Sequence, residues 1–139
     1  MDREEIKTLL PHREPMLLVD EIELDGDGVA HGKYTVRGDE WFLKGHFPGS
    51  PVVPGVIQCE IMGQTCAALF GGMAAGRTPY YTGLDKVRFR SKVVPGDTME
   101  ITARADRVKE PFCFARATVR VGGRVCCEGE LSFALMEEK

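Results

Sequence analysis

The feature that most constrains the fold is a long apolar stretch, in which Glu60 is the only formally charged side chain between residues 45 and 76. Its central part, from Pro54 to about Ala75, is too long for a strand, and Pro54 and Gly55 are typical of a helix start. We therefore predict one long helix there. Because apolar or small residues occur nearly all round it, we expect this helix to be buried on most sides.

Period-two alternation on both sides of this helix predicts strands. Upstream, Asp2 and Glu5 resemble a capping box, which predicts a short helix over residues 3–10, and residues 16–28 and 29–37 then read as a hairpin. Downstream, four further strands are predicted, over residues 81–93, 97–108, 113–121 and 124–135. The pattern indicates an α+β fold in which the apolar face of an antiparallel sheet wraps around the helix and the other face meets water.

Length and composition bound the class of protein. A chain of 139 residues is expected to form a single domain, residues 1–139, and a net charge of −3 argues against general binding to nucleic acid. The N-terminus has no secretory h-region, and polar residues interrupt the best candidate for a membrane span, so we expect a cytoplasmic protein without a membrane partner.

Five cysteines are present, without a C-x-x-C pair or a His/Cys cluster at metal-ligand spacing. We expect buried free thiols in a reducing compartment, with no metal and no cofactor.

Three residues of the stretch GHFPGSPVVPGVIQCE could carry chemistry. Glu60 has mostly apolar helical neighbours, and desolvation would favour its neutral, proton-donating form; an exposed or ion-paired glutamate is the alternative. His46 lies in a Pro/Gly-rich loop that could aim a base, or it could make structural hydrogen bonds only. The amide of Gly55, at the helix start, could stabilise a carbonyl oxygen that gains negative charge. Together they would suit proton abstraction beside a carbonyl with loss of a leaving group.

The segments PHREPMLLVD, GHFPGSPVVPGVIQCE and DKVRFRSKVVPGD occur in this order, and with them the chain resembles the FabZ-type 3-hydroxyacyl-[acyl-carrier-protein] dehydratases from Leu10 to about Glu130. The resemblance implies a hotdog fold, a dimer or a trimer of dimers, and an acyl-carrier-protein partner. It implies the dehydration of a (3R)-hydroxyacyl thioester to the trans-2-enoyl thioester in fatty acid biosynthesis. Glu14 departs from the pattern, because the family usually has an aromatic residue there.

The resemblance also implies roles for individual residues. His46 matches the catalytic base, Glu60 the catalytic acid and Gly55 the backbone donor to the thioester carbonyl, with His46 and Glu60 of one site coming from different subunits. Gln64 matches a glutamine that orients the acid. The pair Tyr80 and Tyr81 lies where relatives carry an aromatic gate over the acyl tunnel, although ordinary packing is the alternative.

An acidic carrier protein would need a basic surface to dock on. Four cations alternate with apolar residues, so on a strand they would share one face: Lys86, Arg88, Arg90 and Lys92. Such a face could steer an acidic partner, or it could be a solvated outer surface. A Michaelis constant for the carrier-protein substrate that does not change with salt would count against docking here.

Three other functions compete with this reading. An acyl-thioester hydrolase on the same scaffold would release free thiol from acyl-CoA. A non-catalytic hotdog protein would be marked by the loss of His46 or Glu60, and both are present. A polyketide-pathway dehydratase would differ in substrate and not in chemistry.

Overall fold

The computed structural model describes residues 1–137 of the chain. The α-helices are α1 (Arg3–Ile6), α2 (Gly55–Thr65) and α3 (Gly71–Ala74), and 3₁₀ turns lie at Trp41–Leu43 and Cys66–Leu69. The strands are β1 (Glu21–Leu24), β2 (Ala30–Thr35), β3 (Arg77–Phe89), β4 (Thr98–Lys109), β5 (Phe112–Val121) and β6 (Arg124–Glu137).

The six strands form one antiparallel sheet in the order β1-β2-β4-β5-β6-β3, and α2 packs against β2, β4, β5 and β6. Burial alternates along β2 and the first half of β4, so that one face of the sheet covers the helix. Gly32 on β2 allows a close approach, because a Cβ there would lie 2.4 Å from Oγ1 of Thr65. The predicted hairpin and the α+β hotdog fold with a sheet around a central helix are confirmed.

The central helix is shorter than the predicted span from Pro54 to Ala75. It ends at Thr65, whose hydroxyl donates to the carbonyl of Ile61 at 3.0 Å, a bond that is known to bend helices. The chain then tightens into the 3₁₀ turn and changes direction at Phe70 and Gly71, where Gly71 has φ +25°. The expected burial on most sides of α2 is confirmed, since Val56 is its only exposed residue.

The N-terminal elements also differ in extent from the prediction. The capping box of α1 is confirmed by the bond from the Glu5 amide to Asp2 Oδ1, at 2.9 Å, but the helix ends at Ile6. Strand β1 begins at Glu21 and not at residue 16. The reason is that the amides of Leu18 and Val19 donate to a side chain of α2 and not to a neighbouring strand.

All five cysteines are buried and free, which confirms the prediction of unpaired thiols. No helix within residues 1–137 is long and apolar enough to cross a bilayer.

Candidate active site

A tight loop between the 3₁₀ turn Trp41–Leu43 and α2 orients the imidazole of His46. The backbone carbonyl of His46 accepts a hydrogen bond from the Val52 amide at 2.8 Å. The imidazole Nδ1 of His46 lies 2.9 Å from the Val52 carbonyl oxygen. A carbonyl oxygen can only accept, so Nδ1 carries a proton, and in the neutral tautomer the lone pair is on Nε2. The Phe47 ring stacks on the imidazole at 4.2 Å. The loop therefore leaves Nε2 as the ring nitrogen that could accept a proton.

Gly55 is the first residue of α2, where backbone amides have no partner within the helix and the helix dipole is positive. A Cβ at this position would lie 2.7 Å from Cε1 of Phe89, so the aromatic ring packs directly over the glycine. The amide is thus at a helix start, beside an apolar surface, as an oxyanion donor would need to be.

Glu60 lies on α2 one turn before Gln64, and the two side chains are hydrogen-bonded. The Gln64 amide nitrogen donates to Glu60 Oε2 at 2.9 Å, and only 21% of the Glu60 side chain is exposed. The glutamate is therefore mostly buried and is oriented by a neighbour on its own helix.

A pocket runs from this carboxyl group into the core. Its polar end is formed by Glu60, Gln64 and His12, and its remaining wall is almost wholly apolar. The apolar residues include Phe70 and Phe133, whose rings meet edge to face at 5.4 Å. An acid at the head of an apolar cleft suits a substrate with a reactive polar head and a hydrocarbon tail.

The two tyrosines of β3 have different positions. Tyr81 lines the pocket, and its hydroxyl donates to the carbonyl of Cys59 at 2.7 Å. Burial, and next to it the charge of Glu60, raises the pKa of the Tyr81 phenol, which therefore remains a hydrogen-bond donor. Tyr80 is 52% exposed and is absent from the residues that line this pocket.

The pocket that contains Glu60 does not include His46 of the same chain. Among residues 1–137, neither His46 nor Gly55 lines the pocket that Glu60 heads. The structure thus brings Glu60, Gln64 and Tyr81 together at one pocket, and His46 and Gly55 lie outside the lining of that pocket.

Sequence reasoning missed His12, whose Nε2 lies 3.3 Å from Glu60 Oε2. It belongs to the loop after α1, between Pro11 and Pro15. A histidine flanked by prolines was the available signal, of the same kind that singled out His46.

Comparison with known proteins decides the family. The family model described as a FabA-like domain matches residues 10–130, most of the chain. The chain belongs to the FabA-like family.

Relatives of this FabA-like chain are similar over nearly their whole length. The 3-hydroxyacyl-[acyl-carrier-protein] dehydratase FabZ of Clostridium beijerinckii is 39% identical over 136 residues, which is 94% of this chain and 96% of the relative. The enzyme of the same name from Macrococcus caseolyticus is 41% identical, over 97% of this chain and 95% of its own. The resemblance to FabZ-type dehydratases is confirmed.

A solved structure supports the fold of the FabA-like chain. The dehydratase heterocomplex ApeI:P from Xenorhabdus doucetiae superposes with a TM-score of 0.83 over 96% of this chain and 91% of that one, at 22% identity.

The predicted basic face of this FabA-like chain is wrong in its geometry. Lys86 has φ +53° and lies in a bulge between Asp85 and Arg88, which interrupts the alternation. Strand β3 ends at Phe89, so two of the four cations, Arg90 and Lys92, lie beyond it. The Arg90 guanidinium is paired with Glu128 at 2.9 Å. The four cations therefore do not share one face of one strand.

Proposed function

We propose that this protein dehydrates (3R)-hydroxyacyl-[acyl-carrier-protein] to the trans-2-enoyl thioester in fatty acid biosynthesis, with His46 as base and Glu60 as acid. The observation that carries the proposal is the position of Glu60 at the polar head of an otherwise apolar pocket, in a chain of the FabA-like family. The named relatives are 3-hydroxyacyl-[acyl-carrier-protein] dehydratases over the same length of chain.

The side chains of His46 and Glu60 and the backbone amide of Gly55 share the steps of the reaction. His46 Nε2 removes a proton from C2, while the Gly55 amide stabilises negative charge on the thioester oxygen. The C3–O bond breaks, and the hydroxyl leaves as water with a proton from Glu60. A double bond forms between C2 and C3. Proton transfer through solvent then returns His46 to its neutral form and Glu60 to its protonated form.

The proposed site draws on a second copy of the chain. His46 does not line the pocket of its own Glu60, and β3 is a 13-residue edge strand that carries exposed apolar side chains such as Leu84 and Phe89. Long, apolar edge strands readily pair with another chain. We therefore propose a dimer joined along β3, in which His46 and Gly55 of one protomer face the pocket of the other. A trimer of dimers stays a prediction from the resemblance.

The experiment measures dehydration of 3-hydroxyacyl carrier protein by His46→Ala, Glu60→Gln and an equal mixture of the two. Each variant alone is expected to lose about 10²- to 10⁴-fold in kcat, the usual contribution of a general acid or base. Mixing with exchange of subunits should restore about a quarter of wild-type activity, because half of the dimers are mixed and each has one intact site.

Near wild-type activity in either single variant would refute the assignment of roles. Two inactive variants with no recovery after verified exchange of subunits would instead mean that the site does not cross the interface. Release of free thiol from acyl-CoA is the control for the alternative hydrolase.

The carrier-protein surface and the cytoplasmic location stay predictions. The basic residues near the end of β3 do not share one face, so a carrier protein that docks there would contact them as a scattered patch. The salt dependence of the Michaelis constant for the carrier-protein substrate remains the test of such docking.

A further inference from the structure

We propose that His12 is a positioning residue for Glu60, which together with Gln64 holds one oxygen of the carboxyl group and leaves the other for the substrate. This inference rests on the proposed function, because it assigns a role in orienting the acid. It starts from two observations: His12 Nε2 lies 3.3 Å from Glu60 Oε2, and His12 Nδ1 is buried without a partner among the described residues.

The orientation of Gln64 identifies which oxygen of Glu60 is held. Gln64 Oε1 accepts from the amides of Leu18 and Val19, at 2.9 and 3.2 Å, so the amide nitrogen must point away from them. That nitrogen donates to the Met16 carbonyl at 2.7 Å and to Glu60 Oε2 at 2.9 Å. Because an amide nitrogen only donates, Oε2 is an acceptor at this contact.

The buried Nδ1 atom identifies the tautomer of His12. A proton on Nδ1 would be a buried donor without an acceptor, and the lone pair of Nε2 would then face the acceptor oxygen of Glu60. A proton on Nε2 leaves Nδ1 as a buried acceptor, but it removes the contact between two acceptors and adds a second donor to Oε2. With two donors on Oε2, the transferable proton of Glu60 resides on Oε1, which is left free for the leaving hydroxyl.

The loop that carries His12 is held in place from both sides. The Arg13 guanidinium donates to the carbonyls of Leu10 and His12, at 3.0 and 2.7 Å. Glu14 binds Lys7 of the turn after α1 at 3.2 Å, so the residue that departs from the family pattern also anchors the loop. His12 is therefore preorganised against Glu60 before any substrate arrives.

The test compares His12→Gln with His12→Asn, alongside His12→Ala and Glu60→Gln, in the full-length protein with a 3-hydroxyacyl carrier-protein substrate. The side-chain nitrogen of glutamine reaches about as far as Nε2, whereas that of asparagine is too short. We expect alanine and asparagine to lower kcat by about 10- to 100-fold, the effect of a small misplacement of a reacting group, with KM changed less than about twofold. Glutamine should recover most of the kcat.

Equal kcat values for the glutamine and asparagine variants would overturn the inference, as would a loss that lies in KM. This comparison does not depend on whether the alanine variant folds. If Glu60→Gln is inactive while all His12 variants are active, only the role of His12 fails. If Glu60→Gln remains active, the proposed acid fails, and the role of His12 fails with it.

Discussion

Gln64 is almost fully buried, and both polar atoms of its side chain are hydrogen-bonded. Its oxygen accepts from two backbone amides, and its nitrogen donates to a backbone carbonyl and to Glu60. A buried polar group left without its partner costs about 1–3 kcal/mol. Gln64 thus ties the segment that precedes β1 to the central helix while it orients the candidate acid, so one residue serves both stability and chemistry.

At the residue scale, Cys66 predicts a dependence of stability on pH. Burial raises the pKa of the Cys66 thiol to about 12 from its ordinary value of 9.0, and Cys113 adds to the shift. The unfolded chain therefore ionises this thiol from about pH 9 upward, whereas the folded chain does not until about pH 12. Stability is fully present below pH 9, and the free energy of unfolding falls above it by up to about 1.4 kcal/mol per pH unit for this thiol.

Urea unfolding under reducing conditions at several values between pH 8 and 11 checks this. Cys66→Ala is the matched variant, and its free energy of unfolding should fall less steeply with pH than that of the wild type. Tyr34 and Tyr81 have pKa values that burial also raises, so a residual slope is expected in both proteins. Parallel slopes for wild type and variant would contradict the assignment to Cys66.

At the element scale, the contact between α2 and β3 depends on a glycine. A Cβ at Gly63 would lie 2.1 Å from the Tyr81 hydroxyl oxygen, so the tyrosine would have to leave the Cys59 carbonyl. Gly63→Ala should lower the free energy of unfolding by about 1–3 kcal/mol through overpacking and the lost hydrogen bond. This loss is expected although alanine is the better helix former by about 1 kcal/mol.

Gly72→Ala is the matched control, since a Cβ there meets nothing within 4 Å. Chemical denaturation should find the control as stable as wild type or more stable. A Gly63→Ala protein at least as stable as wild type would mean that Tyr81 does not pack where the structure has it.

The extent of α2 is an element-scale feature that the sequence predicted only in part. Its start at Gly55 and its burial followed from Pro54 and the apolar run. Its end did not, because residues 66–75 are as apolar as the helix itself. The helix stops where Thr65 packs on Gly32 and the chain turns at Phe70, contacts that come from strands distant in sequence.

At the scale of the whole molecule, the two edges of the sheet differ. The outer edge of β1 is short, and Met1 and Ile22 exchange backbone hydrogen bonds there. The opposite edge, β3, has no strand beyond it in the described part of the chain. Leu84 on β3 and Leu24 on β1 are similarly exposed, at 43% and 52%.

If the proposed dimer forms along β3, Leu84→Glu is expected to give a folded monomer and to abolish dehydration, because each protomer would bring a carboxylate to an apolar interface. Leu24→Glu places the same charge on the other edge and should remain a dimer with near wild-type activity. Light scattering coupled to gel filtration, together with the dehydration assay, measures both properties. A dimeric, active Leu84→Glu protein would exclude β3 as the dimer interface.

The sequence by itself determined the order of elements, the antiparallel sheet around a buried helix, and the family, because these depend on periodicity and on local motifs. Tertiary structure decided which polar groups meet. Gln64 reaches Leu18, and His12 reaches Glu60 from 48 positions away along the chain, once the loop after α1 folds over α2. Spacing along a chain constrains only neighbours on one element. Contacts between elements depend on how the helix and the sheet pack, which is also why His46 and Glu60, 14 residues apart, do not share a pocket in one protomer.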